Sequence, residues 1–449
     1  MVRFQRPIEL GNGARVGIVG GGPAGTLTAF FLLDVARNIG IDLRVEIFES
    51  RQFTCTGPAG CNMCGGVISE SLLQMMAADG IHLPEEVVID TIDSYMLHTD
   101  VGSVSIQAPV TEKRIASIYR GAGPHGAESQ APLPWRSFDE FLLNLAVQSG
   151  AYHIAERVTG IEWSDGRPLL ITRGGERRDY DFLVGAVGIN GTSVSLFEKM
   201  GRGYQPPRSV RAFIGEFYVG EKMVQRVLGH SMHVFLLELP GLKFAAMTPK
   251  GHYATFIILG DNIDKEMVQR VLAHPAVRQC LPPHWEIPVL PCQCQPRIYL
   301  GMPQRFFGHR FAMVGDCGVS RLYKDGIGAA YRTAKALAMT AVTHGVTAAD
   351  LRKHYLPTCR ALERDNKLGH LVFYLDELLG KSSLFRMGLL QTVQQEQEQY
   401  PVATERRLSG ALWDIFTGSA SYRDIVLRAS HPTVLWHMIK NGWSSIGRH

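Results

Sequence analysis

Apolar positions gather into short runs near the start of the chain, at residues 15–19 and 43–49, separated by a glycine-rich break at 20–25 and an apolar stretch of helical length at 26–38. Short apolar runs bounded by turn residues predict buried strands, so the order is strand, glycine turn, helix, strand. The pattern then breaks. Residues 51–66 are rich in glycine and cysteine and carry Pro58, which predicts a long functional loop. Helical periodicity resumes over 69–78, strand-like alternation appears within 92–109, notably at 103–106, and 121–134 reads as a Gly/Pro-rich crossover. Residues 135–149 predict a helix with Phe138, Leu142, Leu145 and Ala146 on one face.

Strands are predicted at 169–172 and 182–186, and beyond Pro206 and Pro207 the stretches 210–219, 233–239 and 253–259 alternate as an antiparallel sheet does. Residues 311–314 return to the buried-strand pattern, 328–343 form a helix rich in small residues, and the chain is almost wholly helical from about 350 onward. There is no internal repeat. The expected fold is α/β: a Rossmann-like nucleotide-binding domain (14–80, 135–205 and 305–345), an interleaved antiparallel-sheet substrate domain (81–134 and 206–304), and a C-terminal helical region (346–449).

Composition narrows the classes. A chain of 449 residues exceeds the usual single domain, and 45% hydrophobic with 20% charged residues excludes a mostly disordered protein. The formal charge of +4, from 46 basic and 42 acidic residues without a long basic run, argues against a nucleic-acid partner. Eight cysteines and no leader before the first strand lead to the expectation of a reducing, cytoplasmic compartment. No apolar run reaches the roughly 20 residues of a spanning helix. Residues 378–390 and 425–443 mix apolar and basic positions at helical spacing, which reads either as helices packed on the core or as a peripheral contact at the inner face of the membrane.

The glycine turn carries the first chemistry. Gly20, Gly22 and Gly25 stand in G-x-G-x-x-G spacing, with Pro23 and Ala24 between them, directly after a strand and before a helix. In such a dinucleotide turn the first glycine permits the tight bend, the second lets a pyrophosphate approach the backbone, and the third lets helix and sheet pack closely. Glu49 ends the second strand 24 residues after Gly25, where a carboxylate can accept hydrogen bonds from ribose hydroxyls. These residues alone do not separate FAD from NAD.

Phe311-Ala-Met-Val-Gly315-Asp316, followed by Asp325-Gly326-Ile327-Gly328-Ala-Ala330 and a helix, resembles the second FAD fingerprint of the flavoprotein superfamily that includes p-hydroxybenzoate hydroxylase and other aromatic hydroxylases. The resemblance implies that Asp316 holds the ribityl chain and that the helix after Asp325 turns its positive end toward the flavin. Trp135-Arg136-Ser-Phe-Asp139 matches a third shared element, in which Arg136 would reach the cofactor, although Asp139 equally suits a helix start. Residues 181–191 resemble a fourth, with Asn190 where hydroxylases often carry Asp.

Within that superfamily the chain is most similar to the geranylgeranyl reductase family, flavoenzymes that hydrogenate isoprenoid double bonds. Gly60-Cys61-Asn-Met-Cys64-Gly65-Gly66 resembles the family's Cys-Gly-Gly stretch, which implies that Cys64 lies beside the substrate and close to the flavin, with Gly65 and Gly66 at the cofactor and Cys61 at the substrate. The segment 239–251 resembles the family's tunnel motif Tyr-x-Trp-x-Phe-Pro, with Phe244, Ala246 and Thr248 in place of the three aromatics and Pro249 kept, so the pocket is reshaped. Phe416 to Tyr422 is similar to the family's tail. The chemistry implied is hydride transfer from flavin N5 to a C=C bond of an apolar isoprenoid or other lipid. The proton would come from Cys64, Tyr323 or water. A second complete nucleotide motif is missing, so the external electron donor is NAD(P)H visiting transiently, or ferredoxin.

Alternatives stay open. Cys61-x-x-Cys64 with Cys55, completed by Cys292-x-Cys294, would suit a metal site or a dithiol, although the leading reading has no metal. Cys280, Cys317 and Cys359 read as small buried residues, and the sixteen histidines show no ligand spacing. An FAD-dependent monooxygenase or oxidase is the second reading, and a flavin-binding sensor without turnover the third. A halogenase is disfavoured, because the chain has no Trp-x-Trp-x-Ile-Pro segment.

Overall fold

The computed structural model describes residues 8–109, 115–124, 136–282, 292–380, 382–402 and 405–446. Trp135 and most of the expected Gly/Pro crossover fall outside them. The chain folds into two compact units, each assembled from three separated segments: 1–62, 136–209 and 297–366 in the first, and 63–135, 210–296 and 367–449 in the second. It is an α/β fold with a Rossmann-like parallel sheet, an interleaved, largely antiparallel sheet and a helical C-terminal region.

The first unit is built on a six-stranded sheet. In spatial order its strands are Phe307–Gly308, Phe311–Met313, Phe182–Gly185, Ala14–Val19, Leu43–Phe48 and Tyr152–Ile154. All neighbours are parallel except the edge hairpin between the first two. Val16, Ile18, Val45, Ile47, Leu183 and Val184 are fully buried, as expected of parallel strands covered on both faces. Helices Pro23–Asn38, Phe138–Gln148 and Gly326–Thr343 pack beside it. The first of these begins at Pro23 rather than at residue 26, because proline fits the first helical position, where its missing N–H costs nothing.

The second unit contains a run of seven strands in the order Cys292–Cys294, Arg208–Tyr218, Tyr253–Gly260, Leu242–Lys250, Ser231–Leu236, Ser94–Thr99 and Gly102–Gln107. All these pairs are antiparallel except the one between Ser231–Leu236 and Ser94–Thr99. Strand alternation gives the sheet two faces. Phe217, Phe235, Met247, Phe256 and Ile258 lie in one core cluster with Val224, Met267, Val271 and Val277 of the short helices Glu221–Val227, Lys265–Ala273 and Pro275–Arg278. Tyr95, Leu97, Val234 and Ala246 lie in the other, with residues of Ser383–Gln399, Arg407–Thr417 and Pro432–Ile446. There Trp413 is fully buried and donates its indole N–H to Glu70 at 3.1 Å, which satisfies the polar end of a large apolar side chain. Among the described residues no helix is long and apolar enough to cross a membrane.

Candidate functional site

The glycine turn of the first unit is tight enough to dictate its residues. A Cβ on Gly25 would lie 1.9 Å from the Gly20 carbonyl oxygen, and one on Gly20, whose φ is +108°, would lie 2.4 Å from the Ala186 carbonyl oxygen. Any side chain there would push the helix off the sheet. Gly22 caps the helix Pro23–Asn38 without a side-chain hydrogen bond; Pro23 carries no N–H, and the Gly25 and Thr26 N–H groups donate to the Gly22 carbonyl at 3.0 Å, which closes the first turn tightly under the positive end of the helix. Glu49 is drawn to the same turn: its carboxylate accepts the Gly21 N–H at 3.0 Å and the Arg51 N–H at 2.9 Å.

The distant elements converge on this turn. Gly315 has φ +70°, and its Cβ position is 2.6 Å from the Ala24 Cβ, so the end of strand Phe311–Met313 lies against the start of the first helix. Asp316 reaches the start of the helix Gly326–Thr343, with one carboxylate oxygen 3.4 Å from the Cβ position of Gly326. Asp325, in a left-handed conformation, caps that helix by accepting the Gly328 N–H at 3.1 Å. A Cβ on Gly328 would overlap that carboxylate at 2.1 Å. Burial raises the Asp325 pKa, opposed by Arg332 at 3.1 Å and Arg321 at 3.6 Å. Gly20, Gly25, Ala24, Glu49, Gly315, Asp316, Gly326 and Gly328 thus form one connected cradle, beside which Gly22, Pro23 and Ile327 occupy the first positions of the two helices.

Two residues of the same unit stand differently. Arg136 is exposed, whereas Asp139 is fully buried and accepts a hydrogen bond from Asn62, whose amide oxygen in turn accepts one from Arg51. Asp139 therefore anchors the loop after Glu49, while Ser137 caps the helix. Asn190 clamps the backbone of Arg297, accepting its N–H at 2.6 Å and donating its amide N–H to the Arg297 carbonyl at 3.4 Å, a two-way clamp that Asn makes and an acceptor-only Asp carboxylate does not. Tyr323 has φ +61°, and next to it burial pushes the Lys324 ammonium down to about 7, reinforced by Arg321. Lys324 was not legible as a candidate, because only folding removes its solvent.

In the second unit, Phe244, Ala246 and Thr248 alternate onto one face of the strand Leu242–Lys250, with Pro249 on the other. Thr248 stands opposite Thr255, and Thr255 opposite Glu216, so the three form a row across adjacent strands. Thr255 donates to both oxygens of Glu216 at 3.0 and 2.8 Å, and Lys250 lies 3.8 Å from the same carboxylate and 4.7 Å from the centre of the Tyr119 ring. Burial raises the Glu216 pKa, and Lys250 and Thr255 oppose it. Among the described residues the buried Thr248 hydroxyl has no hydrogen-bond partner, so the row ends on an unsatisfied polar atom.

The loop Cys64, Gly65, Gly66 lies over this row. A Cβ on Gly65 would meet the Ile257 side chain at 2.5 Å, and one on Gly66, with φ +67°, would meet the Ile118 carbonyl oxygen at 2.1 Å and the Lys250 amine at 2.7 Å. Cys64 Sγ accepts the Gly66 N–H at 3.4 Å. Cys61 belongs to the first unit. All eight cysteines are free thiols. Among the described residues the ligand atoms that converge belong to His98, His233 and Cys280, not to Cys55, Cys61, Cys64, Cys292 or Cys294.

No protein-family profile matches the chain, and no curated protein matches it in sequence. Solved structures do match. A flavoprotein/dehydrogenase from Cytophaga hutchinsonii, 14% identical, aligns over 98% of this chain and 100% of its own with a TM-score of 0.60. The fold is a flavoprotein fold. The flavin-dependent brominase Bmp2, 13% identical, aligns over 96% of this chain and 98% of its own at a TM-score of 0.57. The flavin-dependent halogenase CmlS, 17% identical, covers 88% of this chain and 68% of its own at 0.56. The flavoprotein fold thus extends over both units, including the C-terminal helices.

Proposed function

We propose that the chain binds FAD in the cradle of the first unit and is an FAD-dependent oxidoreductase. The carrying observation is the fit of that cradle: glycines at Gly20, Gly25 and Gly315, where any Cβ would collide, a helix start capped by Gly22 without a side chain, and Glu49 and Asp316 beside them. The glycines leave the backbone open to a pyrophosphate, and the two carboxylates suit sugar and ribityl hydroxyls. Asp325, flanked by Arg321 and Arg332, keeps the start of the second helix polar and cationic. Bound there, FAD would supply the hydride chemistry, which on the reading below reduces a C=C bond.

The finer reading is reduction of an apolar isoprenoid or other lipid. Ile257, partly buried against Gly65 and paired with the buried Ala246 of the next strand, gives the second unit an apolar contact beside the Cys64 loop, suited to such a chain and to keeping water away from it. The remaining carbon needs a proton, for which Cys64, Tyr323 and Lys324 are candidates; Lys324, titrating near neutrality, is the best matched in acidity. Exposed Leu371, Tyr374, Leu375 and Leu378 in Leu356–Leu379, and Trp436, Ile439 and Trp443 in Pro432–Ile446, support a peripheral lipid contact.

The purified protein is tested by its flavin absorbance, by anaerobic reduction with NADH, NADPH and reduced ferredoxin, and by reoxidation with a lipid extract followed by mass spectrometry. A product heavier by two hydrogens supports the reading. Since a brominase and a halogenase carry the same fold, oxygen-dependent chemistry is the second reading, and oxygen or halogen in the product would replace the first.

A further inference from the structure

His98 on strand Ser94–Thr99 and His233 on the adjacent Ser231–Leu236 meet Cys280, which follows the helix Pro275–Arg278, inside the second unit. His98 Nε2 is 2.9 Å from His233 Nδ1, and Cys280 Sγ is 3.2 Å from His233 Nδ1 and 3.7 Å from His98 Nε2. The three are 6%, 7% and 5% exposed, and Cys280 belongs to the core cluster of Phe235, Met247 and Phe256. Three polar groups in such a core cost stability unless something repays their desolvation. We propose that they form a binding site for a thiophilic metal ion, Zn2+ or Cu+.

The spacing fits. Tetrahedral zinc, with bonds of about 2.0 Å to nitrogen and 2.3 Å to sulfur, sets two nitrogens roughly 3.3 Å apart and nitrogen and sulfur roughly 3.5 Å apart. The three measured separations fall within about half an ångström of those values. The outer hydrogen bonds of a ligand pair are also in place: His98 Nδ1 meets Ser103 Oγ at 2.8 Å, and His233 Nε2 donates to the Leu228 carbonyl at 3.4 Å. That second bond leaves Nδ1 of His233 as a lone pair facing the cluster. Without an ion, His98 Nε2–H donates to that lone pair. On binding, each ring turns its lone pair to the ion, the His98 proton moves to Nδ1 and is donated to Ser103 Oγ, and Cys280 releases its thiol proton to solvent. One proton leaves per ion bound. Met247, directly opposite His233 on the next strand and so on the same face, brings a buried thioether to that side of the sheet. The ion would tie two central strands to the segment after Pro275–Arg278.

The full-length protein, stripped with chelator and dialysed against Zn2+, Cu+ under anaerobic conditions, or Co2+ as a spectroscopic probe, is assayed for metal content and near-ultraviolet thiolate-to-cobalt absorption. We expect about one ion per chain. The Co2+ band should be absent in Cys280→Ser and present in the double variant Cys61→Ser, Cys64→Ser, and chelation should lower the melting temperature of wild type but not of Cys280→Ser. Retention of less than a tenth of an ion per chain, or a cobalt band that survives Cys280→Ser and vanishes in the loop variant, would overturn the assignment. Should Cys280→Ser fail to fold, His233→Gln with the same loop control decides it.

Discussion

Replacing Gly315 by Ala tests the cradle at its most informative point. The new methyl would lie 2.6 Å from the Ala24 Cβ, at a backbone φ of +70°. An L-residue in that left-handed region costs roughly 1–2 kcal/mol. Relieving the overlap requires the glycine turn to back away from the strand end, at a cost typical of overpacking, about 1–3 kcal/mol. The total is about 2–5 kcal/mol. If half of it falls on the cofactor-bound state, FAD affinity drops about fivefold to seventyfold. Gly201→Ala is the matched control, because φ there is +76° but nothing lies within 4 Å of the added methyl. It carries the backbone strain without the clash. Titrating FAD into the two apoproteins by calorimetry, with circular dichroism to verify folding, separates the terms. If Gly315→Ala bound FAD as tightly as Gly201→Ala, the contact between the two fingerprints would have no part in holding the cofactor, and the reasoning would fail.

Other outcomes follow from the same geometry. Lys324 titrates at about 7, below its ordinary value, so if its ammonium is the acid the turnover rate should fall as pH rises through 7; Lys324→Met should be slow and flat across that window. Lys250→Met leaves the buried Glu216 carboxylate without its cation and should cost about 3–5 kcal/mol in urea unfolding, with Lys250→Met, Glu216→Gln recovering most of it. A double variant no more stable than Lys250→Met alone would refute that pairing. Trp436→Ser with Trp443→Ser should weaken sedimentation with phosphatidylglycerol vesicles about tenfold or more, since burying each large apolar side chain is worth about 1.5–3 kcal/mol. Unchanged sedimentation would remove the membrane contact.

The first strand, turn and helix were legible because each obeys a local rule. The strand predicted at 15–19 is Ala14–Val19, and the glycines sit where the fold forbids a side chain. Strand Leu242–Lys250 was harder to see as a strand, since its apolar residues face both sides and Pro249 interrupts the alternation. Glu216 carried a signal that was passed over, a carboxylate in the middle of the buried strand Arg208–Tyr218. His98, His233 and Cys280 gave none. They are 135 and 47 residues apart, and strand pairing rather than spacing brings them together. Local pattern records turns and periodicity, whereas convergence across a sheet is written in the partners of each strand.

The interleaving of the two units also sets a clock. Strand Ala14–Val19 pairs with Phe182–Gly185, and that strand in turn with Phe311–Met313, so the sheet under the glycine turn lacks a member until more than two thirds of the chain has been synthesised. At roughly 5–20 residues per second the N-terminal segment waits on the order of 15–60 s for its last partner, with apolar strand edges uncovered. Neither unit can be expressed as a simple N- or C-terminal fragment. A ribosome pause or a truncation before residue 311 should therefore yield a chain that aggregates and binds no dinucleotide, however complete its glycine motif.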